Sequence, residues 1–589
     1  MSEQKETTTP ASSIARTRLL HAALAAIFVL AACSPADDAT KQARRVPEAQ
    51  TAEAPIPKLV SGNGRHALLV DGAPFLVLGA QANNSSNYPA MLPKVWPALE
   101  QMHANTLEIP VAWEQIEPEE GRFDFSYVDT LLTQARQHNM RLVLLWFATW
   151  KNNGPAYMPE WAEIDNQRFP RLVTKDGVRL GSMSPHAKTT LDADRKAFVE
   201  LMRHLKKSDT QRTVIMVQVE NECGTYGSDR DYSPAAEKLF NAAVPENLLK
   251  ALNKRPGTWS QVFGNDAAEF FHAWSIASYI NAVAAAGKAE YPLPMYVNAA
   301  LRDPFNPGPP GGYASGGPTD NVLDVWKAAA PAIDMLAPDI YMRESVKVAA
   351  VMERYARADN PLFVPEIGND LPFARYFFSM LGHRGIGFAP FGMDFTGYYN
   401  YPLGARKVDA ETIEPFAASY RLVAPFAREL ARLSYEGKVW GAGEPDDGTQ
   451  AQVLDLGRYK AHLTYGRPMF GTEPPKGNAQ PIGGAILAEL GPNEYLLTGR
   501  HVRVNFGPGA DNHPFMTMRV EEVAYEQGEW KFVRVWNGDQ TDWGLNFTDI
   551  PQVLRVRFAN DGRSSRVRDR DSESLAYRSP ATTVKETQK

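Results

Sequence analysis

Short runs of apolar residues alternate with segments of helical period from about residue 68 to about residue 430. The runs fall at 74–79, 106–111, 141–147, 213–219, 295–298, 335–337, 362–365 and 385–390. Helical patterns at 127–138, 194–205, 267–286 and 322–329 separate several of them. A strand that is apolar at almost every position is buried on both faces, and strands alternating with helices make a parallel sheet. Eight such units close a (β/α)8 barrel, and no GxGxxG phosphate loop follows the first run to favour a doubly wound open sheet. The expected fold is α/β: a (β/α)8 TIM barrel over residues 59–430, with the Pro/Gly/Ser-rich stretch 305–319 as an insertion. Beyond residue 433 the period changes to alternation, at 452–456, 485–490, 495–498, 502–505, 517–524, 530–535 and 553–558, broken by Gly, Pro, Asn and Asp. That pattern predicts an all-β, sandwich-like domain over 431–562, followed by a charged, Ser/Thr-rich tail at 563–589 expected to be disordered.

The N-terminus belongs to neither domain. Arg16 and Arg18 precede an apolar run, 19–32, too short to span a bilayer and shaped like a secretory signal. It ends Leu30-Ala31-Ala32-Cys33, which resembles the lipobox of bacterial lipoproteins. That resemblance implies acylation of Cys33, a signal over 1–33, a solvated tether over 34–58, and membrane attachment through the lipid anchor only. Ser34 after the cysteine implies an outer-membrane protein facing the periplasm. A plain cleaved signal is the alternative. The chain has two cysteines, so Cys223 is left without an intrachain partner once Cys33 is modified. A net charge of −6 over 589 residues is too weak to point to nucleic acid. The aromatic content, Trp 12, Tyr 22 and Phe 27, fits an ordinary core, with sugar-stacking platforms as the alternative.

The chemistry lies at two strand ends. The fourth run, Val-Ile-Met-Val-Gln-Val, stops at Glu220-Asn221-Glu222, and the seventh stops at Glu366-Ile367-Gly368-Asn369-Asp370. Active sites of such barrels sit at the C-terminal ends of strands, and an acid closing a buried strand is costly to build unless it acts. Strands four and seven lie nearly across the mouth from one another. Two carboxylates there, with no metal-ligand spacing and no cofactor motif nearby, suit glycosidic cleavage: one protonated to serve the leaving oxygen, one ionised to attack or stabilise the oxocarbenium-like centre.

Asn221-Glu222 and Glu366 resemble the acid/base and nucleophile of the clan A retaining glycoside hydrolases. Within that clan, the segment Gln218-Val219-Glu220-Asn221-Glu222, followed by Gly224 and Tyr226, is similar to glycoside hydrolase family 35, mainly β-galactosidases. The segment 105–125, NTLEIPVAWEQIEPEEGRFDF, is similar to the family's sequence after strand two. The resemblance covers the barrel. It implies Glu222 as acid/base, Glu366 as nucleophile, Asn221 as a donor to the sugar 2-hydroxyl, a carboxylate spacing of about 5–5.5 Å and retention of configuration. It also implies an oligosaccharide substrate, terminal β-linked galactose, with no cofactor or metal; the nearest branch is linked to xyloglucan side chains. Departures from the family habit are Cys223 in place of an aromatic residue, Trp113-Glu114 in place of Trp-Asn, and 147–153 (FATWKNN) in place of a Glu-rich segment.

Further candidates for substrate binding are Trp113 and Trp150, past strands two and three, with core packing as the alternative. Glu114 is a hydroxyl ligand or an ion-pair partner. Asn298 and Tyr341 end strands five and six, Tyr341 as a donor to the nucleophile or a packed ring. Glu220 is expected to support the site structurally, Cys223 to be a packed thiol, and His186 and His383 to sit at the rim or in solvent. Two other functional readings stay open: an exo-β-glycosidase for another sugar, such as a glucosamine or arabinose unit, and a surface glycan-binding lipoprotein without catalysis.

Overall fold

The computed structural model describes residues 54–449, 451–466 and 477–559. The signal, Cys33, most of the tether and the tail from 563 lie outside the described residues.

Eight parallel strands pair in chain order and close into a barrel: β1 (Val77–Gln81), β2 (Thr106–Ala112), β3 (Arg141–Lys151), β4 (Val214–Asn221), β5 (Met295–Ala300), β6 (Met335–Ile340), β7 (Val364–Ile367) and β8 (Gly387–Pro390). Nearly every residue in them is buried, as double-sided burial requires. The helices Ser126–Gln137, Lys188–Ser208, Ala267–Glu290 and Leu323–Ala329 stand where the helical period predicts them. The run at 74–79 straddles two elements. Ala73–Phe75 belongs to a small antiparallel sheet with Lys58–Gly62 and Arg65–Val70, and the barrel strand starts only at Val77. Leu68, Val70 and Phe75 of that sheet share one apolar cluster with Val143, Leu145, Phe147 and Met335 of the barrel strands and with Phe363 just before β7. The small sheet therefore plugs the end of the barrel opposite the active-site mouth.

The β-rich part comprises a six-stranded and a four-stranded sheet. They bury one joint core, in which Leu463, Leu487, Leu497, Val504 and Leu554 take part, as two face-packed sheets do. All seven predicted strands are present. The sequence reading omitted Val439–Gly443, Tyr459–Tyr465 and Leu545–Phe547. The six-stranded sheet is continuous with the barrel's own core through Val439, Ile486, Ala488 and Leu496. Arg375, fully buried after β7, donates to the Pro481 carbonyl (2.7 Å) and to Asp446 (2.6 Å). Barrel and sandwich form one compact unit.

Candidate active site

At the bottom of the barrel the interior is apolar; towards the C-terminal mouth it turns polar. Gln81, Glu108, Gln218, Tyr296, Asn298, Asp339 and Glu366 are all buried there. Buried polar groups on this scale persist when they bond to one another or to a ligand. Glu222, Asp339 and Glu366 each bring a carboxylate oxygen within 4.8 Å of the others. The structure brings together the two acids singled out in the sequence, and a third, Asp339, joins them.

Glu366 is held on both oxygens. Gln81 Nε2 donates to Oε2 at 2.9 Å, and the Tyr341 hydroxyl donates to Oε1 at 2.5 Å. Donors of this kind stabilise the ionised form. Burial, then the Glu366 charge, pushes the Tyr341 hydroxyl well above its ordinary value, so it keeps its proton and remains a donor.

Glu222 is built differently. The chain enters the left-handed region at Glu220 (φ 65°) and again at Glu222 (φ 44°). For non-glycine residues that conformation costs roughly 1–3 kcal/mol each and persists only where surrounding contacts enforce it. Those contacts are specific. Asn298 Oδ1 accepts from the Glu222 amide (2.9 Å), Asn153 Nδ2 donates to the Glu222 carbonyl (2.9 Å), and Trp150 N donates to Glu220 (2.7 Å). Burial first, then the charge of Glu366, raises the Glu222 carboxyl to about 7, while Lys151 pulls in the opposite direction. Glu222 is thus poised to hold a proton near neutrality, beside a Glu366 that accepts two neutral donors; such unlike surroundings are what a general acid and a nucleophile need.

The remaining candidates divide. Asn298 lies in the site but is committed, giving its Nδ2 to Asp339 (2.6 Å). Asn221 takes Lys151 Nζ on its Oδ1 (2.8 Å), and its buried Nδ2 has no protein partner among the described residues. Trp113 and Trp150 are corrected: both rings are fully buried and offer no face to a sugar. Trp113 packs edge-on against Trp161 and donates to Glu117 (2.9 Å). Trp150 packs edge-on against Tyr279 of the helix Ala267–Glu290, in the helical layer outside the barrel. Glu114 is half-buried near Tyr88 and Tyr157, and burial, then Glu163, raises its carboxyl. None of the described hydrogen bonds or ion pairs links Glu114 to the carboxylate pair. Glu220 is a fully buried structural acid. Burial, then Asp194, pushes it well above its usual range.

Three site residues were missed: Gln81, Lys151 and Asp339. Each lies at a C-terminal strand end just past the apolar run from which its strand was read. The departures from the family habit also acquire a physical reason. Lys151, the last residue of β3, donates to Asn221 and to Asn152, and Asn153 just past the strand donates to the Glu222 carbonyl. Cys223 is fully buried where the loop 311–319 crosses: a side chain on Gly317 would meet its carbonyl at 2.1 Å, and one on Gly224 would meet the Ala314 carbonyl at 2.6 Å. The two backbones approach so closely that glycine is required at both crossing points. His186 is partly buried against Phe271, and His383 lies on the helical side, bonded to the Ser379 carbonyl (2.9 Å).

Among the described residues, Glu222, Asp339 and Glu366 are the group of acids close enough to share a cation. Lys151 already supplies positive charge to this cluster, and Gln81, Tyr341 and Asn298 occupy three of the carboxylate oxygens.

Residues 92–270 match the family model Glyco_hydro_42, described as β-galactosidase. That segment contains Asn221 and Glu222 and ends before Glu366. Residues 416–548 match a domain of unknown function, DUF5597. A β-galactosidase of Xanthomonas manihotis is 28% identical over 187 residues, covering 27% of this chain and 29% of the relative. The β-galactosidase GanA of Bacillus subtilis is 26% identical over 177 residues, covering 28% and 24%. The chain thus spans less than a third of the length of these curated relatives. A solved β-galactosidase from the psychrophilic Marinomonas ef1 aligns with 60% of this chain and 61% of its own at 11% identity and a TM-score of 0.43.

Proposed function

We propose that this protein is an exo-acting, retaining β-galactosidase that removes terminal β-linked galactose from plant-wall oligosaccharides such as galactosylated xyloglucan. Glu366 attacks the anomeric carbon as Glu222 passes its proton to the departing glycosidic oxygen. Glu222, now a base, takes a proton from the water that displaces Glu366 from the galactosyl-enzyme, so configuration is retained. No metal or cofactor enters either step. One observation carries this reading: the two carboxylates approach within 4.8 Å in unlike surroundings. That separation suits a retaining pair and is too short for the roughly 6.5–9.5 Å of an inverting one. By the family resemblance Asn221 donates to the sugar 2-hydroxyl, which its uncommitted Nδ2 supports.

The motif at Asn221-Glu222 and the segment 105–125 favour family 35, and the β-galactosidase match over 92–270 supports the broader assignment. Glu114, where the family carries Asn, favours testing other exo-β-glycosides beside galactosides; a panel of aryl glycosides separates them. The lipobox supports attachment through Cys33 to the outer membrane, facing the periplasm, and Cys33→Ala is expected to release the protein into the soluble fraction. The test of function is Glu222→Gln and Glu366→Gln. Both are expected to fold and to lose turnover on aryl β-galactosides; near wild-type rates in either refute the assignment. Glycan binding by a protein that hydrolyses no glycoside would turn the reading to a binding lipoprotein.

A further inference from the structure

The rings read from the sequence as sugar platforms are buried, and the structure exposes others in their place. The loop after β8 carries Tyr398, Tyr399 and Tyr401, which are 58%, 47% and 52% exposed. Three large rings in four residues, all open to water, form apolar surface that needs a partner.

The loop is tied to the nucleophile end of the site. Asn400 Nδ2, in the middle of the tyrosine run, lies 3.5 Å from the Tyr341 hydroxyl that holds Glu366. Asn369, three residues after Glu366, accepts from the Ala405 amide at 2.7 Å. Arg343, two residues after Tyr341, donates to the carbonyls of Pro402 (3.2 Å) and Leu403 (3.4 Å). Tyr401 is fixed by Arg406, whose guanidinium lies 3.8 Å from the ring centre and bonds its hydroxyl at 2.6 Å. Tyr398 and Tyr399 have no such clamp, and neither stacks on another ring among the described residues. On the loop that follows Glu222, Tyr226 is also exposed, at 48%.

We infer that Tyr398 and Tyr399 form a stacking platform at the rim of the pocket for the sugar units beyond the terminal residue, that is, for the leaving-group oligosaccharide. This rests on the exo-acting reading above. Asn400 ties the loop to Tyr341 beside the buried Glu366, while the rings of Tyr398 and Tyr399 stand in water, the place for sugar units beyond the one that Glu366 meets. A tyrosine face suits the apolar C–H face of a pyranose, with two torsions to order. A β-1,4-linked glucan, the linkage of the xyloglucan backbone, presents such faces in series.

The experiment uses the full chain and two probes, a β-1,4-linked glucose tetramer followed by calorimetry and galactose followed by its inhibition constant. In a Tyr398→Ala/Tyr399→Ala protein that melts like the wild type, tetramer affinity is expected to fall at least tenfold. The galactose constant is expected to change by less than twofold. Equal tetramer affinity in the two proteins, or no tetramer binding to the wild type, overturns the platform while leaving the galactosidase reading intact. Tetramer binding that depends on the tyrosines, in a protein that neither binds galactose nor cleaves galactosides, retains the platform and overturns the pocket reading.

Discussion

Glu222 closes a strand whose backbone turns left-handed at two non-glycine positions, and its carboxyl sits at about 7 beside other acids. Glu366 lies within β7, and each of its oxygens receives a neutral donor. One half of the site is strained and its acid holds a proton up to about pH 7; the other is relaxed and donated to on both oxygens. The difference is what the proposed division of roles rests on, since the chemical identity of two glutamates cannot supply it. It also shows where the fold concentrates its reinforcement. The strained half recruits Asn298, Asn153 and Trp150 through backbone bonds, whereas the nucleophile needs only Gln81 and Tyr341.

The comparison can be broken most severely by removing either carboxylate. Glu222→Gln abolishes the proton donor and should lower kcat by roughly 10²–10⁴-fold, with Glu366→Gln at least as damaging, read by initial rates on an aryl β-galactoside. Next in size is Tyr341→Phe. It removes one hydrogen bond to a charged group, worth about 1.5–3 kcal/mol, and should lower kcat roughly 10- to 100-fold. A loss below twofold would mean that Glu366 does not depend on its donors.

Smaller effects sharpen the electrostatics. With Glu222 as the proposed acid, the rate should fall as pH rises through about 7. Lys151 favours the ionised form of Glu222, so Lys151→Met should move this basic limb to higher pH. In Glu366→Gln a neighbouring negative charge is gone, and the Glu222 titration, followed by carboxyl NMR, should move below its wild-type value. A limb unmoved or displaced downward in Lys151→Met would contradict the charge arrangement. The smallest effect concerns a residue removed from the site. Trp113→Phe forfeits the bond to Glu117, worth about 1 kcal/mol of stability, and should lower the melting temperature with KM unchanged.

The barrel was legible because all eight strands are buried on both faces and appear as apolar runs. The pair Glu222 and Glu366 was legible because an acid abutting such a run is conspicuous. The same rule hid Gln81, Lys151 and Asp339. A strand read as ending with its last apolar residue stops at Gly79, Phe147 or Ala337, and the true strands run on to Gln81, Lys151 and Ile340. In a barrel with a polar mouth, the final inward-facing positions of a strand are polar, so apolarity marks the strand's body and misses its functional end. Trp113 and Trp150 failed for the complementary reason. Position past a strand end does not say which way a ring faces, and both rings turn into apolar packing. The exposed tyrosines lie in a loop with no period to mark them.

The assignment of roles is tested most directly by chemical rescue of two proteins, Glu366→Gly and Glu222→Gly, with azide on an activated aryl β-galactoside. Azide filling the space left by Glu366 attacks the anomeric carbon directly, and the product should be the α-galactosyl azide. Azide in the Glu222 variant attacks the galactosyl-enzyme, and the product should be the β-galactosyl azide. The opposite pairing, or rescue of neither protein, would contradict Glu366 as nucleophile and Glu222 as acid/base.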